Sequence, residues 1–149
     1  MPSHHKIPPF SLEFYKDEGG NHPVLEWLRS LDATKRRSMG VALYEVLQHM
    51  GIDVCETEFG KNLGRGVFEF RVRQTASEIL ARRGHPKQSG RDPDKADILL
   101  RVYCHAYGEK VVLLVAAYDK GKDPSRKREN SEIALARRRL ADFERGHRA

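Results

Sequence analysis

Six residues of this chain have types and spacings that could do chemistry together. Arg71 lies in Val67-Phe68-Glu69-Phe70-Arg71-Val72, where period-two alternation puts Phe68, Phe70 and Val72 on one face of a strand and Glu69 and Arg71 on the other. Arg101 and Tyr103 share the face of a second strand that opposes Ile98, Leu100, Val102 and Cys104. Tyr118 and Lys120 have matching parity at the end of the apolar run Val111 to Tyr118, and Lys61 precedes the first of these strands. If the three strands are neighbours, these groups converge on one surface with few acids, Glu69 being the exception. Clustered Arg and Lys hold phosphates, neutralise a pentavalent transition state and depress a lysine pKa until it can act as base or acid. Cleavage of RNA needs those parts: a base for the 2′-hydroxyl, cations on the phosphoryl oxygens and an acid for the leaving group. The competing reading is a solvated sheet face, with Tyr103 and Tyr118 as amphipathic packing residues. Arg137-Arg138-Arg139 is read as the solvated side of a last helix, with a phosphate-contacting role as its alternative.

Other chemistries fail on spacing. Gly60-Lys61 would end a phosphate-binding loop, but Cys55 stands at its first glycine and Asn62 where Ser or Thr must hold magnesium. The seven histidines show no paired-ligand spacing, and the two cysteines are 49 positions apart, which argues against a zinc site. Cys104 and His105 are adjacent on a strand, so their side chains point to opposite faces. No GxSxG elbow is present. Neither a metal nor a cofactor is expected.

The elements that must position the six residues follow from the pattern. Phe10, Leu12 and Phe14 alternate with polar residues over 7–16, a half-buried strand ended by Gly19-Gly20-Asn21. Residues 22–31 read as a helix with Pro23 in its first turn and Val24, Trp27, Leu28 and Leu31 on one stripe. Asp32 can cap a second helix running to Met50, with Gly51 as its stop. The two make a helical hairpin. The strands around 67–72, 98–105 and 111–118 come next, the last two joined through Gly108-Glu109 and the last expected to be the most buried. Residues 73–97 are polar and rich in Gly and Pro, and read as an inserted flexible loop holding a short helix at the capping box Thr75-Ala76-Ser77-Glu78. A final helix spans about 124–145, with Ile133, Ala136, Leu140 and Phe143 as its apolar stripe. The expected architecture is one α+β domain over residues 1–149, ordered β-α-α-β-β-β-α, with a small antiparallel sheet packed by the helical hairpin and the C-terminal helix.

Composition bounds the partners. The 149 residues carry a formal net charge of +6, and 39% are apolar, which suits one folded domain. Residues 1–60 hold 6 Lys/Arg against 9 Asp/Glu, while residues 61–149 hold 21 against 12, so the basic character belongs to the second part. That asymmetry hints at a polyanionic partner. No apolar run approaches the roughly 20 residues that span a bilayer. The first residues lead into no secretory apolar core, and two cysteines fit a reducing compartment, so a cytoplasmic protein without a membrane partner is expected.

Four stretches, in this order, resemble the RelE/ParE toxin superfamily, specifically its HigB-like, phage-derived branch. Pro23-Val24-Leu25-Glu26-Trp27-Leu28-Arg29-Ser30-Leu31 is similar to the family's early PV-x-EWL-x-x-L helix. Lys61-Asn62-Leu63 through Gly66-Val67-Phe68-Glu69-Phe70-Arg71 is similar to its K-x-L … G-[LV]-[YF]-E-[LF]-R segment. Arg101-Val102-Tyr103 followed by Val111-Val112-Leu113-Leu114 resembles R-V-x-Y … VLL. Tyr118-Asp119-Lys120 and Pro124, then Glu132-Ile133, Ala136, Arg139, Asp142 and Phe143, resemble F-x-K-K … TP … EI-x-x-A-x-x-R-x-x-D-[YF]. The resemblance extends from residue 10 to 143. Two departures stand out: Gly121 occupies the second lysine position, with Lys122 one place later, and the 73–97 insert exceeds the family's short loop.

The resemblance implies the toxin of a type II toxin–antitoxin pair that enters the ribosomal A site and cuts mRNA there without a metal. Lys61, Arg71, Arg101, Tyr118 and Lys120 fall at the family's catalytic positions. Arg71 and Arg101 would hold the scissile phosphate, Lys61 or Lys120 would handle protons, and Tyr118 would stack on a base or orient the attack. Arg65, Tyr103, Lys122, Arg137 and Arg138 are the expected contacts to RNA and ribosome. The implied partners are the 70S ribosome, mRNA and a cognate antitoxin of helix-turn-helix type. Two alternatives stay open: a ParE-like inhibitor of DNA gyrase that does not cut RNA, and a non-catalytic RNA- or ribosome-binding domain.

Overall fold

Asp32 begins the main helix of the N-terminal half as its charge suggests, its Oδ1 accepting the Lys35 amide at 2.9 Å. In the computed structural model, which describes residues 7–75 and 97–146, strand β1 (Ser11–Phe14) leads into α1 (Pro23–Ser30) and α2 (Ala33–Ala42). α2 continues through a π-helical segment, Leu43–Leu47, and a last turn, Gln48–Met50. Gly51, at φ +57°, stops the helix; a Cβ there would lie 2.5 Å from the Phe10 ring. A 3-10 turn (Gly51–Glu56) then feeds β2 (Gly60–Gly64), β3 (Val67–Thr75), β4 (Asp97–Tyr107), β5 (Val111–Asp119) and α3 (Arg126–Gly146).

The architecture is α+β, but the sheet differs from the expected one in two respects. It has five strands in the order β1-β5-β4-β3-β2, not four, and it is mixed: β1 runs parallel to β5 while the other pairs are antiparallel. β2 has two glycines and no β-branched residue, so its strand character comes from pairing along the edge of β3 rather than from propensity. The parallel pair is a non-local contact that alternation in one segment cannot encode. The insert is also shorter at both ends than expected, because Arg73, Gln74 and Thr75 pair with Leu99, Ile98 and Asp97. Thr75, expected to open a capping box, is the last residue of β3, and the expected helix beyond it lies in 76–96, outside the described residues.

Helices cover both faces of the sheet. On one face Phe68, Phe70, Val72, Leu100, Val102, Val112 and Leu114 form a core with Val24, Met39, Leu43 and Leu47 of the helical hairpin. On the other, Val67, Tyr103, Leu113, Val115 and Tyr118 pack with Ala136 and Leu140 of α3, with Ile133 and Phe143 alongside. β5 is nearly solvent-free from Val112 to Ala116. A bulge at Val115 lets Leu114 pair with Cys104 and Ala116 with Tyr103. The bulge frees the Val115 carbonyl, which accepts a 2.8 Å bond from Arg139 Nη1 of α3. α3 itself starts at Ser125, whose Oγ accepts the Arg128 amide. No helix among the described residues is long and apolar enough to cross a membrane.

Candidate active site

Strand register brings most of the expected residues into two rows. Arg71 of β3, Arg101 of β4 and Tyr118 of β5 are direct cross-strand partners. One row away, Lys61, Glu69, Tyr103 and Ala116 line up across β2, β3, β4 and β5. The Val115 bulge matters here, since without its extra residue Tyr118 would point into the opposite core. Lys120 follows β5, and its Nζ lies 3.6 Å from Glu129 Oε2 in the first turns of α3.

This face is not solvated. α3 lies across it, and Glu69 is 1% exposed, Arg101 5%, and Tyr103 and Tyr118 0%. The solvated-face reading therefore fails for these residues. The Glu69 carboxylate binds both guanidiniums: Arg71 Nε donates to Oε1 at 2.6 Å, and Arg101 Nε lies 3.8 Å away. Burial lowers the Arg101 pKa against the opposing pull of Glu69, and the guanidinium stays charged at any ordinary pH. Tyr103 and Tyr118 stack in parallel, with centroids 6.4 Å apart. Burial raises both phenol pKa values, with Glu69 adding to the rise at Tyr103 and Glu129 at Tyr118. Both tyrosines are thus protonated at neutral pH and can donate but not act as bases. Among the described residues, their hydroxyls and Arg101 Nε, all buried, find no partner at full hydrogen-bond geometry.

The outer residues disperse. Lys61 and Arg65 are exposed, Arg65 in the β2–β3 turn at φ +55°. Arg137 is occupied by the fold, donating to the carbonyls of Leu63 and Gly64 at 3.0 and 3.1 Å. Arg138 is exposed on the far side of α3, beside a pocket that also takes in Tyr15, Asp17 and Glu18. Lys122 is exposed and lines a different pocket with Lys35, Asp119 and Arg128. Sequence reasoning missed two participants. Arg128 sits over the Tyr118 ring at 5.1 Å and bonds Glu132 at 2.9 Å. Glu69 appeared as an exception among cations and is the carboxylate that holds the two arginines. Its place between two arginines across neighbouring strands was the available signal.

Chemically, the rows supply an exposed edge and a buried support. Lys61 is exposed and Arg71 and Lys120 are half-buried, while Glu69 holds Arg71 from beneath and lies beside Arg101. Among the described residues no group of three or more His, Cys, Asp or Glu is gathered as metal ligands would be. Cys104 and His105 face apart as expected: Cys104 is in the hairpin-side core, and the His105 ring bonds the Gly66 carbonyl at 2.8 Å. No known family model, curated protein or solved structure matches the chain.

Proposed function

We propose that this protein is the toxin of a type II toxin–antitoxin pair and acts as a ribosome-dependent endoribonuclease. The observation that carries the reading is the cross-strand row Arg71–Arg101–Tyr118, with Lys61 one row to one side and Lys120 just past the end of β5 on the other. The resemblance of the four sequence stretches supports it. Arg71, aimed by the buried Glu69, would bind the scissile phosphate and stabilise its developing charge. The 2′-oxygen attacks phosphorus, its proton passing to Lys61 or Lys120, and the bond to the 5′-oxygen breaks. The 5′-oxygen takes a proton from the other lysine, leaving a 2′,3′-cyclic phosphate and a 5′-hydroxyl. Tyr118, neutral and buried, would hold Arg128 over its ring beside the site. The cognate antitoxin, the ribosome and mRNA are the proposed partners.

One observation favours a second reading, a non-catalytic RNA- or ribosome-binding domain: Arg101 and Tyr118 are buried beneath α3 and Arg128. The test is short induction in cells followed by mapping of mRNA ends, with and without translation. Ribosome-dependent cuts within coding sequence support the endoribonuclease. Intact mRNA with stalled translation supports the binding domain, and DNA breaks with intact mRNA support a gyrase inhibitor.

A further inference from the structure

A pocket of about 410 Å³ opens beside the catalytic row, at the turn between α1 and α2, the end of β5 and the start of α3. That volume lies within the roughly 300–1,000 Å³ of small-molecule sites. Its lining joins an apolar wall, Trp27 and Leu31, to three cations, Lys35, Lys122 and Arg128. Two acids, Asp32 and Asp119, also face it. Both are engaged by the fold. Asp32 caps α2. Asp119 binds Lys35 Nζ at 2.6 Å and the Gly121 amide at 3.0 Å.

Asp119 neutralises Lys35, which leaves Lys122 and, in part, Arg128 for a ligand. Lys122 is exposed and forms no ion pair among the described residues, and Arg128, 41% exposed, leans on Glu132 and only distantly on Asp123. The Trp27 indole N–H makes no hydrogen bond to a described residue. Arg128 links the pocket to the proposed site, since it lines the pocket and also lies over the Tyr118 ring.

We infer that this pocket binds one nucleotide of an RNA strand, its base against Trp27 and its phosphate on Lys122 and Arg128. The substrate class rests on the RNA-directed reading above, but the pocket is testable without cleavage. An aromatic wall beside cations is the arrangement that single-stranded nucleic acid uses, with stacking on the base and electrostatics on the backbone. A strand passing Lys120 would place a neighbouring nucleotide here.

Trp27 is the single tryptophan of the chain, so its fluorescence reports the pocket alone. The experiment titrates the full-length protein with AMP, GMP, CMP and UMP, with the matching nucleosides, and with inorganic phosphate. Saturable quenching by at least one nucleotide is expected, with its nucleoside about tenfold weaker, as loss of a charge-assisted contact implies. Lys122→Glu, a change at an exposed side chain, is expected to weaken the nucleotide at least as much without moving the melting temperature. No quenching, quenching that Lys122→Glu leaves unchanged, or displacement by inorganic phosphate or polyglutamate at equal concentration overturns the assignment. Nucleotide binding without mRNA cleavage removes the nuclease and leaves the pocket; cleavage without nucleotide binding removes the pocket and leaves the nuclease.

Discussion

Replacing Glu69 by leucine removes the carboxylate that two guanidiniums share and leaves Arg101 in place. Arg101 is 5% exposed, and its hydrogen bond to another described residue is a 3.4 Å one from Nη1 to the Leu100 carbonyl, too long to replace the lost charge. Breaking a buried pair by removing one partner costs about 3–5 kcal/mol. Two features favour the lower end: the 3.8 Å separation of Arg101 from Glu69, and the 30% exposure of the Arg71 side chain, which water can rehydrate. A loss of about 3 kcal/mol is therefore expected, which lowers Tm by roughly 9 °C in a chain of this length. Adding Arg101→Met to the Glu69→Leu protein removes the stranded charge and should recover most of the loss, since apolar residues of similar volume replace buried pairs at little cost. Urea unfolding of wild type, both single variants and the double variant measures the coupling directly. A Glu69→Leu loss below about 1 kcal/mol, or a double variant no more stable than Glu69→Leu, would refute the buried-charge argument.

Other expectations concern the same framework. Arg139→Met should cost about 1–2 kcal/mol in urea unfolding, because it frees the Val115 carbonyl at the bulge and removes a guanidinium from the Tyr15 ring. Gly51→Ala should be among the most destabilising alanine substitutions, combining a positive φ with a clash on Phe10, while Gly40→Ala in α2 should stabilise by about 0.5–1 kcal/mol. Burial and the acids beside them raise the Tyr15 and Tyr107 pKa values to about 12 from 10.0. The folded state therefore holds these protons more tightly than the unfolded one, so their contribution to stability is intact below pH 10 and lost between pH 10 and 12. Absorbance titration at 295 nm should show both ionising only in that range or with unfolding, and Tyr15→Phe, which deletes the 2.6 Å bond to Asp142, should flatten the alkaline loss.

The parts of the structure legible in the sequence are those that local pattern governs. Asp32 and Gly51 bound the long helix because capping and positive φ are local requirements. The apolar stripe of α3 predicts its buried face for the same reason, with Ala136 and Leu140 nearly solvent-free. β2 was not legible, since Gly60-Lys61-Asn62-Leu63-Gly64 lacks strand chemistry and becomes a strand through its partner. The Val115 bulge sits inside an unbroken apolar run, where no polar residue marks the change of phase. Parity places Arg71, Arg101 and Tyr103 on one face, whereas Tyr118 joins them only through the bulge. It could not reveal that α3 seals that face, because docking of a helix on a sheet depends on contacts remote in the chain. Glu69 likewise becomes intelligible only when Arg101 stands beside it across the sheet.

In the proposed function, the Arg71–Arg101–Tyr118 row and its flanking lysines promote attack of the 2′-hydroxyl on the RNA phosphate. The most direct test is the chemistry of the ends produced when purified protein acts on mRNA in a reconstituted translation system. 2′,3′-Cyclic phosphate and 5′-hydroxyl ends are expected, with cleavage by Arg71→Ala and Lys120→Ala slowed at least about a hundredfold in proteins that keep their folded spectra. Ends bearing a 3′-hydroxyl and 5′-phosphate, or undiminished cleavage by both variants, would contradict the proposed function.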